Sequence, residues 1–189
     1  MTIYAIRNNR EPYYRELDFN QMDIVNAAPE SMHPDEILDG AERNSAMSGW
    51  WVTPSVDFYG GSDPVSDIAV WLTSILLLSP KAHRVLGGIL KAYGEFLPIT
   101  VSGDKYFLFN CLTFGDEDSV GTQFESEGGQ ELWLKFLAFQ ESAESLPVFK
   151  SLSNKGMTPF CNQRFKDAVE SFELKGLIFD EQLIEVYET

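Results

Sequence analysis

Apolar positions between residues 79 and 94 recur about every 3.6 residues, which predicts an amphipathic helix. Ser79 is a good N-cap residue, and Pro80 suits the first helical position, where a missing N–H does no harm. Gly94 stands where a left-handed residue would end the helix. Gly87 and Gly88 each lower helix stability by roughly 1 kcal/mol, so we expect another backbone to pack closely there. The predicted apolar face consists of Ala82, Val85, Leu86, Ile89, Leu90 and Tyr93.

A β-hairpin is predicted directly after this helix. Residues 96–101 and 105–114 have the pattern of two strands, joined by a turn at Ser102-Gly103-Asp104. Because Pro98 has no N–H to donate, the first strand is expected to lie at a sheet edge near that residue. The second strand is apolar on both faces, which is typical of a central strand that is covered on both sides. One face carries Tyr106, Leu108, Asn110 and Leu112, and the other Phe107, Phe109, Cys111 and Thr113.

A second capped helix is predicted near the C-terminus. Asn162 is its N-cap candidate, and Gly176 is the expected left-handed residue after it, with Leu177 packing back on Phe172. The buried stripe is predicted to be Phe165, Ala168, Val169 and Phe172.

Short apolar or alternating segments indicate further strands, whereas residues 67–72 fit either a strand or a short helix. Residues 26–43 are interpreted as a loop with at most a short helix at 35–38. Two clear helices and about eight strand segments predict an α+β fold, with a mixed or antiparallel sheet on which the two main helices pack. The other predicted strands are 2–6, 48–52, 56–59, 75–78, 131–139, 147–150, 177–179 and 183–186.

The length of 189 residues is typical of a single domain, 1–189, of which residues 1–65 form a variable N-terminal part. Its 29 acidic and 14 basic residues give a net charge of −15. Such a surface repels a phosphate backbone, so we expect no nucleic acid partner. It suits a positively charged protein, and it is equally compatible with a surface that is simply solvated.

The two cysteines, Cys111 and Cys161, have apolar surroundings and no CxxC spacing, so they are predicted to be buried reduced thiols. The N-terminus lacks the charged-then-apolar pattern of a secretion signal. The longest apolar run, residues 68–78, is too short to cross a bilayer. We therefore expect a cytoplasmic protein without membrane association.

Catalytic motifs are sparse in this sequence. It contains no glycine-rich phosphate loop, no G-x-S-x-G and no HExxH. His83 lies off the apolar helix stripe and is predicted to face solvent without a catalytic role. His33 lies near Asp35 and Glu36 in a loop, but their spacing matches no metal-ligand pattern. We therefore expect no enzymatic activity, no cofactor and no metal site.

Residues 116–127 match part of a calcium-binding loop. Asp116, Asp118, Gly121 and Glu127 occupy positions 1, 3, 6 and 12 of the twelve-residue pattern. Position 5 is Val120, however, which offers no side-chain oxygen, and a strand precedes the loop where a helix is expected. A calcium-binding or adaptor role for this loop is the alternative hypothesis, and an acidic mobile loop is the simplest interpretation.

The same loop is the predicted partner-contact site, because negative charge is most concentrated there and only Lys135 offsets it. A dense acidic surface can replace a phosphate surface for a basic partner. Trp50 and Trp51 are adjacent on a predicted strand, so one of them should be exposed as an interface anchor, with Trp50 as the candidate. The acidic candidates are Asp116, Glu117, Asp118, Glu125 and Glu127, with Glu131, Glu141 and Glu144 nearby.

Several short motifs occur in a fixed order between residues 66 and 186: Asp67-Ile68, Leu77-Leu78-Ser79-Pro80-Lys81-Ala82, Glu95-Phe96-Leu97-Pro98, Tyr106 with Asn110, Pro159-Phe160, and Gly176-Leu177-Ile178-Phe179. In this order they resemble a bacterial immunity-protein family of polymorphic toxin systems, immunity family eleven. The sequence departs from the family pattern at Cys161, where a serine is expected.

The resemblance implies a protein that binds a cognate bacterial toxin and neutralises it by stoichiometric occlusion, without active-site residues of its own. The absence of a secretion signal implies a toxin that acts in the cytosol, and the charge of this chain favours a basic toxin such as a nuclease. A calcium-binding or otherwise enzymatic domain and a protein-binding adaptor are the rival hypotheses.

Overall fold

The computed structural model describes residues 2–128 and 130–184, with the backbone alone at residues 127, 130 and 131. The fold is α+β, as predicted. The helices are α1 (Gln21–Ala27), α2 (Pro34–Leu38), α3 (Gly40–Arg43), α4 (Pro80–Leu90) and α5 (Gln163–Ser171), with a 3₁₀ helix at Glu141–Ser145. The strands are β1 (Ile3–Asn8), β2 (Glu16–Leu17), β3 (Ser55–Val56), β4 (Phe58–Tyr59), β5 (Ile68–Trp71), β6 (Ile75–Leu78), β7 (Gly94–Val101), β8 (Asp104–Cys111), β9 (Gln123–Glu127), β10 (Gln130–Phe136), β11 (Val148–Lys150), β12 (Pro159–Asn162) and β13 (Leu177–Asp180).

A five-stranded sheet with the order β3-β7-β8-β6-β5 forms the centre of the fold. All neighbours are antiparallel except β3 and β7, which makes the sheet mixed. The hairpin predicted from the sequence is β7–β8, and β8 is the middle strand, as expected. The short β3 reaches only Thr100 and Val101, so Pro98 lies where β7 has no second strand beside it, as its missing N–H requires.

Both faces of this sheet are covered, because successive side chains of its central strands point in opposite directions. Phe109 of β8 packs in one apolar cluster and Leu108 in another. The first cluster lies against the two main helices and also contains Ile6 of β1; the second lies against the N-terminal residues 17–58. The helix residues of the first are Ala82, Leu86, Leu90, Phe165 and Val169, and the N-terminal residues of the second are Leu17, Phe19, Ile24, Met47 and Phe58.

A four-stranded antiparallel sheet with the order β11-β12-β1-β13 completes the architecture. Its strand β1, from the N-terminus, pairs with β12 on one side and β13 on the other. Both partners belong to the region, residues 66–186, that resembles the immunity family. The N-terminal residues are therefore part of the same hydrogen-bonded sheet as that region.

Helix α4 begins as predicted, since the Ser79 hydroxyl accepts a hydrogen bond from the Ala82 N–H at 3.1 Å. The expectation for Gly94 is wrong, because the helix ends at Leu90 and Gly94 opens β7. A Cβ at Gly94 would stand 2.2 Å from the Asn110 carbonyl oxygen, so this glycine permits two strands to approach closely. The close backbone approach expected at Gly87 and Gly88 is not found among the described residues, since a Cβ at Gly87 would meet the His83 ring first and one at Gly88 would meet nothing within 4 Å.

Helix α5 has the predicted N-cap, as the Asn162 side chain accepts from the Phe165 N–H. Its end differs from the expectation: Glu173 takes the left-handed conformation (φ 51°), and Leu174, not Leu177, is the buried residue that follows. Phe172 is exposed. Gly176 (φ 124°) instead lets the chain pass Ile68, whose carbonyl oxygen would lie 2.1 Å from a Cβ there.

The N-terminal third is more ordered than predicted. The segment interpreted as a loop contains α2 and α3 and follows α1, and Asn20 caps α1 through a reciprocal capping box with Asp23. The strand predicted at residues 48–52 is absent, because residues 48–50 form a turn.

Two polar side chains, the half-buried Glu95 and the buried Lys150, form hydrogen bonds from the sheets to this N-terminal part. Glu95 accepts hydrogen bonds from the Met47 N–H at 2.6 Å, the Ser48 N–H at 3.0 Å and the Asn110 side chain at 2.8 Å. Asn110 also donates to the Ser45 carbonyl at 3.0 Å. Burial by itself would raise the pKa of Glu95, but these hydrogen bonds outweigh it and hold the pKa below its ordinary value.

Lys150 is the second polar side chain that forms a hydrogen bond to the N-terminal part. Its side chain is fully buried, donates to the Ala41 carbonyl at 2.6 Å and lies 4.9 Å from the centre of the Phe114 ring. No carboxylate of the described residues forms an ion pair with it. Burial lowers its pKa from 10.5 to about 8, because an ammonium is poorly solvated there.

The Glu95→Gln substitution is expected to lower the free energy of unfolding by about 1–3 kcal/mol at pH 7, since the hydrogen bonds that this half-buried carboxylate accepts are weakened or lost. A lowered folded-state pKa stabilises the protein above the unfolded-state pKa, and this contribution disappears as the pH falls through the folded-state pKa. The difference from wild type should therefore shrink on acidification below roughly pH 4.3. Urea denaturation measures it, with the exposed Glu42→Gln as a control that should change little.

The Lys150→Met substitution is expected to stabilise the protein at pH 7 by removing a desolvated charge. Between pH 8 and pH 10.5 the unfolded wild-type chain keeps a lysine proton that the folded chain has lost, so wild-type stability rises with pH there. The advantage of the variant should accordingly decline across that window. Urea denaturation at several pH values measures this difference in stability, with the exposed Lys91→Met as the control. A Lys150→Met variant that is less stable than wild type at every pH would contradict the argument.

Candidate functional site

The acidic segment interpreted as a loop is one only in its first part: residues 115–122 lie outside regular strands, and residues 123–127 form β9, the first strand of a β-hairpin. Strands β9 and β10 pair antiparallel with each other and form a two-stranded sheet that is separate from the two larger sheets. We call residues 115–139 the acidic hairpin. The prediction of a strand within residues 131–139 is confirmed by β10.

The base of the acidic hairpin is fastened to the body of the protein. The Gly115 N–H donates to the Lys150 carbonyl at 2.9 Å, whereas the bond from the Asp118 N–H to the Ala138 carbonyl, also 2.9 Å, closes the base of the hairpin on itself. Phe139 packs edge-on against Phe149, with ring centres 5.0 Å apart. A third apolar cluster, beneath the hairpin base, contains Leu137, Ala143, Phe149 and Phe160.

The carboxylates of the predicted site point to separate partners. Asp116 accepts from the Ser142 hydroxyl at 2.7 Å, and Asp118 accepts from the Val120 N–H at 2.9 Å. Glu125 forms an ion pair with Lys135 at 2.9 Å. The side chain of Glu127 lies outside the described residues. The structure thus places these acidic residues on one hairpin without bringing the carboxylates of Asp116, Asp118 and Glu125 together.

Glu117 has a structural role. It is half-buried and accepts hydrogen bonds from the Ser151 hydroxyl at 2.6 Å and from the Ser153 N–H at 3.0 Å, as well as from the Ser153 hydroxyl at 2.5 Å. Burial would raise the pKa of Glu117, but these hydrogen bonds outweigh burial and lower it. Its carboxylate is committed to the turn after β11, which makes it a poor contact residue for a partner.

The calcium hypothesis gains no support from this geometry. Within residues 2–128 and 130–184, no three His, Cys, Asp or Glu side chains lie close enough together to hold a metal ion. Calcium needs six to eight converging oxygen ligands. The hydrogen bonds of Asp116 and Asp118 direct those two carboxylates to Ser142 and to the local backbone instead.

The acidic hairpin exposes apolar side chains that the sequence analysis did not select. Leu132, Trp133 and Phe136 of β10 are exposed, with 61% of Trp133 accessible to solvent. These side chains are exposed at a stretch where the pairing of β10 with β9 is irregular, with register shifts between Glu131 and Trp133 and between Leu134 and Phe136, so strict alternation of faces does not hold there. Trp133 is the most exposed of the four tryptophans.

A signal for this surface was present in the sequence. The segment around β10 is apolar at successive positions, as in a strand covered on both sides, yet it lies among acidic residues. Sequence alone does not show that the covering layers are missing there. Exposure is set by the tertiary structure, which covers β8 and leaves the outer part of β10 open.

Trp50, the predicted anchor, is half-buried and lies in a turn beside Trp51, with the ring centres 6.3 Å apart. Both tryptophans pack against the second apolar cluster. The Trp50 ring nitrogen is buried without a hydrogen-bond partner among the described residues. Trp50 is therefore largely a core residue of the N-terminal part.

The histidines also differ from the expectation. His83 is not solvent-facing, because its ring stacks on that of Phe107, with the ring centres 3.7 Å apart, and packs edge-to-face with Phe96. Burial, together with the nearby Lys105, lowers the pKa of His83. His33 caps α2, where its Nδ1 accepts from the Asp35 N–H at 3.3 Å. Cys111 and Cys161 are buried free thiols, as predicted.

None of the helices in the described residues is both long and apolar enough to cross a membrane. The sequence matches no protein-family model, and no curated protein shows significant similarity to it. The immunity-family resemblance therefore stays a prediction, and the site must be judged from its geometry.

Addition of calcium is expected to leave the protein unchanged, because the carboxylates of Asp116, Asp118 and Glu125 do not converge on a common point. Calorimetric titration should show no saturable heat up to millimolar calcium. A dissociation constant tighter than about 10⁻⁴ M that is lost in Asp116→Ala would contradict this expectation and favour the calcium-loop hypothesis.

Proposed function

We propose that this protein binds a basic protein and neutralises it by covering its surface, as an immunity protein covers its cognate toxin. The observation that supports this proposal best is the exposed Trp133 on an acidic hairpin, with Leu132 and Phe136 close to it on the same strand. An aromatic anchor within a charged surface is a common arrangement in protein interfaces.

The two components of this surface have different physical roles. The apolar side chains of β10 supply binding free energy when a partner removes them from water, at roughly 25 cal/mol per Å² buried. The net charge of −15 attracts a positively charged partner from a distance and raises the association rate. A tight and selective complex needs both components.

The hairpin also offers backbone hydrogen bonds. In the part of the chain that the structure describes, β9 and β10 pair as strands only with each other. Their outer edges thus present N–H and C=O groups to which an extended segment of a partner can add. Because the hairpin base is fastened by the third apolar cluster, binding does not require the whole surface to become ordered first.

An adaptor that binds some other protein would use the same surface, so the two roles must be separated by their effects. An immunity protein protects a bacterial host from its toxin, whereas an adaptor does not. The direct experiment mixes the protein with the toxin domain encoded by the adjacent reading frame and separates the mixture by size-exclusion chromatography. We expect a one-to-one complex and restored growth on co-expression, and the absence of both would refute the proposal.

Truncation of the hairpin aromatics is expected to weaken that complex. Trp133→Ala should raise the dissociation constant at least tenfold, about 1.4 kcal/mol, and Phe136→Ala should raise it by less. Phe172→Ala is the matched control, since Phe172 of the α5 end is 56% exposed and Phe136 is 52% exposed. Isothermal titration calorimetry measures all three variants.

Equal effects of Phe136→Ala and Phe172→Ala would show that the hairpin is not the contact surface. The dissociation constant should also rise with salt concentration, because the attraction between opposite charges is screened.

A further inference from the structure

A groove of about 800 Å³ lies between the N-terminal residues 8–20 and the strand β5, and no described residue of the acidic hairpin lines it. Its volume is within the range of ligand and peptide sites. Tyr13, Tyr14 and Tyr59 line it together with Trp71. Tyrosine, tryptophan and arginine are the residues that dominate the energetics of protein interfaces.

One carboxylate in this groove is held by two tyrosines. The Tyr13 hydroxyl donates to Glu16 Oε1 at 3.0 Å, and the Tyr59 hydroxyl donates to Oε2 of the same residue. These hydrogen bonds raise the pKa of both tyrosines, because the phenol proton is shared with a negative charge. Glu16 is exposed, and no basic side chain of residues 2–128 or 130–184 forms an ion pair with it.

Glu16 still has the capacity to bind a cation. A carboxylate offers about four acceptor positions, and the two phenols use one on each oxygen. The remaining two, one per oxygen, suit the paired N–H groups of a guanidinium. Tyr13 and Tyr59 are more than half exposed, so their ring faces are accessible to the same cation.

The other charged groups of the groove leave this position open. Arg15 is turned away, since its guanidinium donates to the Phe58 carbonyl at 2.7 Å and lies 5.7 Å from the Phe58 ring. Asp18 adds a second negative charge to the lining. Arg10 also lines the groove, but its side chain forms no hydrogen bond or ion pair with the described residues.

We propose that this groove binds the guanidinium of an arginine side chain, which a basic partner inserts between Tyr13 and Tyr59 onto Glu16. The inference rests on the proposed function for the identity of the partner, and it names a second contact point besides the acidic hairpin. Bidentate geometry makes arginine the preferred side chain, with lysine binding more weakly. A chain with net charge −15 would thereby select one cationic side chain by its shape as well as by its charge.

The guanidinium site can be tested without the partner. Nuclear magnetic resonance titration with N-acetyl-arginine amide should show saturable binding in the millimolar range, with shifts at residues 13–18 and 58–60. N-acetyl-lysine amide should bind more weakly, and the uncharged N-acetyl-citrulline amide should not bind.

Two substitutions that each remove one negative charge distinguish binding at a specific site from general electrostatic attraction to the acidic protein. Glu16→Gln should weaken arginine binding at least tenfold, whereas Glu11→Gln, which removes an exposed carboxylate that does not line the groove, should leave it unchanged. Equal effects of the two, or shifts spread over the whole acidic surface, would overturn the proposal. Arg10→Ala should strengthen arginine binding, because it removes a positive charge from the lining, and weaker binding would count against the proposal.

The toxin complex distinguishes failure of this inference from failure of the proposed function. If wild-type protein and toxin form no complex, the proposed function fails, and the arginine titration still decides whether the groove is a guanidinium site. If the complex forms and Glu16→Gln leaves its dissociation constant unchanged, the groove is not a contact point, although the proposed function stands. If the complex forms and Glu16→Gln, but not Glu11→Gln, raises its dissociation constant tenfold or more, the result supports both the groove as a contact point and the proposed function.

Discussion

The central sheet has to be covered on both faces, and the rest of the structure follows from this constraint. Strands β6 and β8 carry apolar side chains in both directions, so exposure of either face would place large aromatic and aliphatic groups in water. Helices α4 and α5 cover one face and the N-terminal residues cover the other. Glu95 then holds the N-terminal cover through hydrogen bonds, and Lys150 donates one more to it, although the burial of its charge is unfavourable.

The acidic hairpin is where this double coverage stops. Its base contributes Leu137 to a buried cluster, but β10 continues outward with apolar side chains and no layer over them. A body with two covered sheets is a rigid support for such a surface, since the fastened base positions the strands before a partner arrives. The proposed guanidinium site on Glu16 is built on the N-terminal cover of the central sheet, whereas the hairpin base packs against β11 and β12 of the four-stranded sheet.

Local patterns predicted much of the scaffold. The capped start of α4, the β7–β8 hairpin and the two-faced strand β8 were all readable, because short-range periodicity and capping residues determine them. The roles of Gly94 and Gly176 were not readable. Each is set by a carbonyl oxygen that approaches from elsewhere in the chain, at Asn110 and Ile68 respectively.

The candidate site was predictable only in its charge. The acidic residues were found by counting, but the anchor was assigned to Trp50 rather than Trp133, since exposure depends on which layers cover a strand. Glu16 was not predicted as a site residue. Tyr13 is only three residues from it, but its second partner, Tyr59, is brought to it by the pairing of β2 with β4, which the sequence does not reveal. The commitment of Glu117 to Ser151 and Ser153 likewise requires the tertiary structure.

The measurement that tests the account most directly is a titration of the toxin's activity with this protein. Neutralisation by covering predicts that activity falls linearly and reaches zero at one molecule of protein per molecule of toxin. Loss of activity at a small fraction of an equivalent would indicate a catalytic mechanism, and full activity at a large excess would show that the two proteins do not act on each other. Either result would contradict the account.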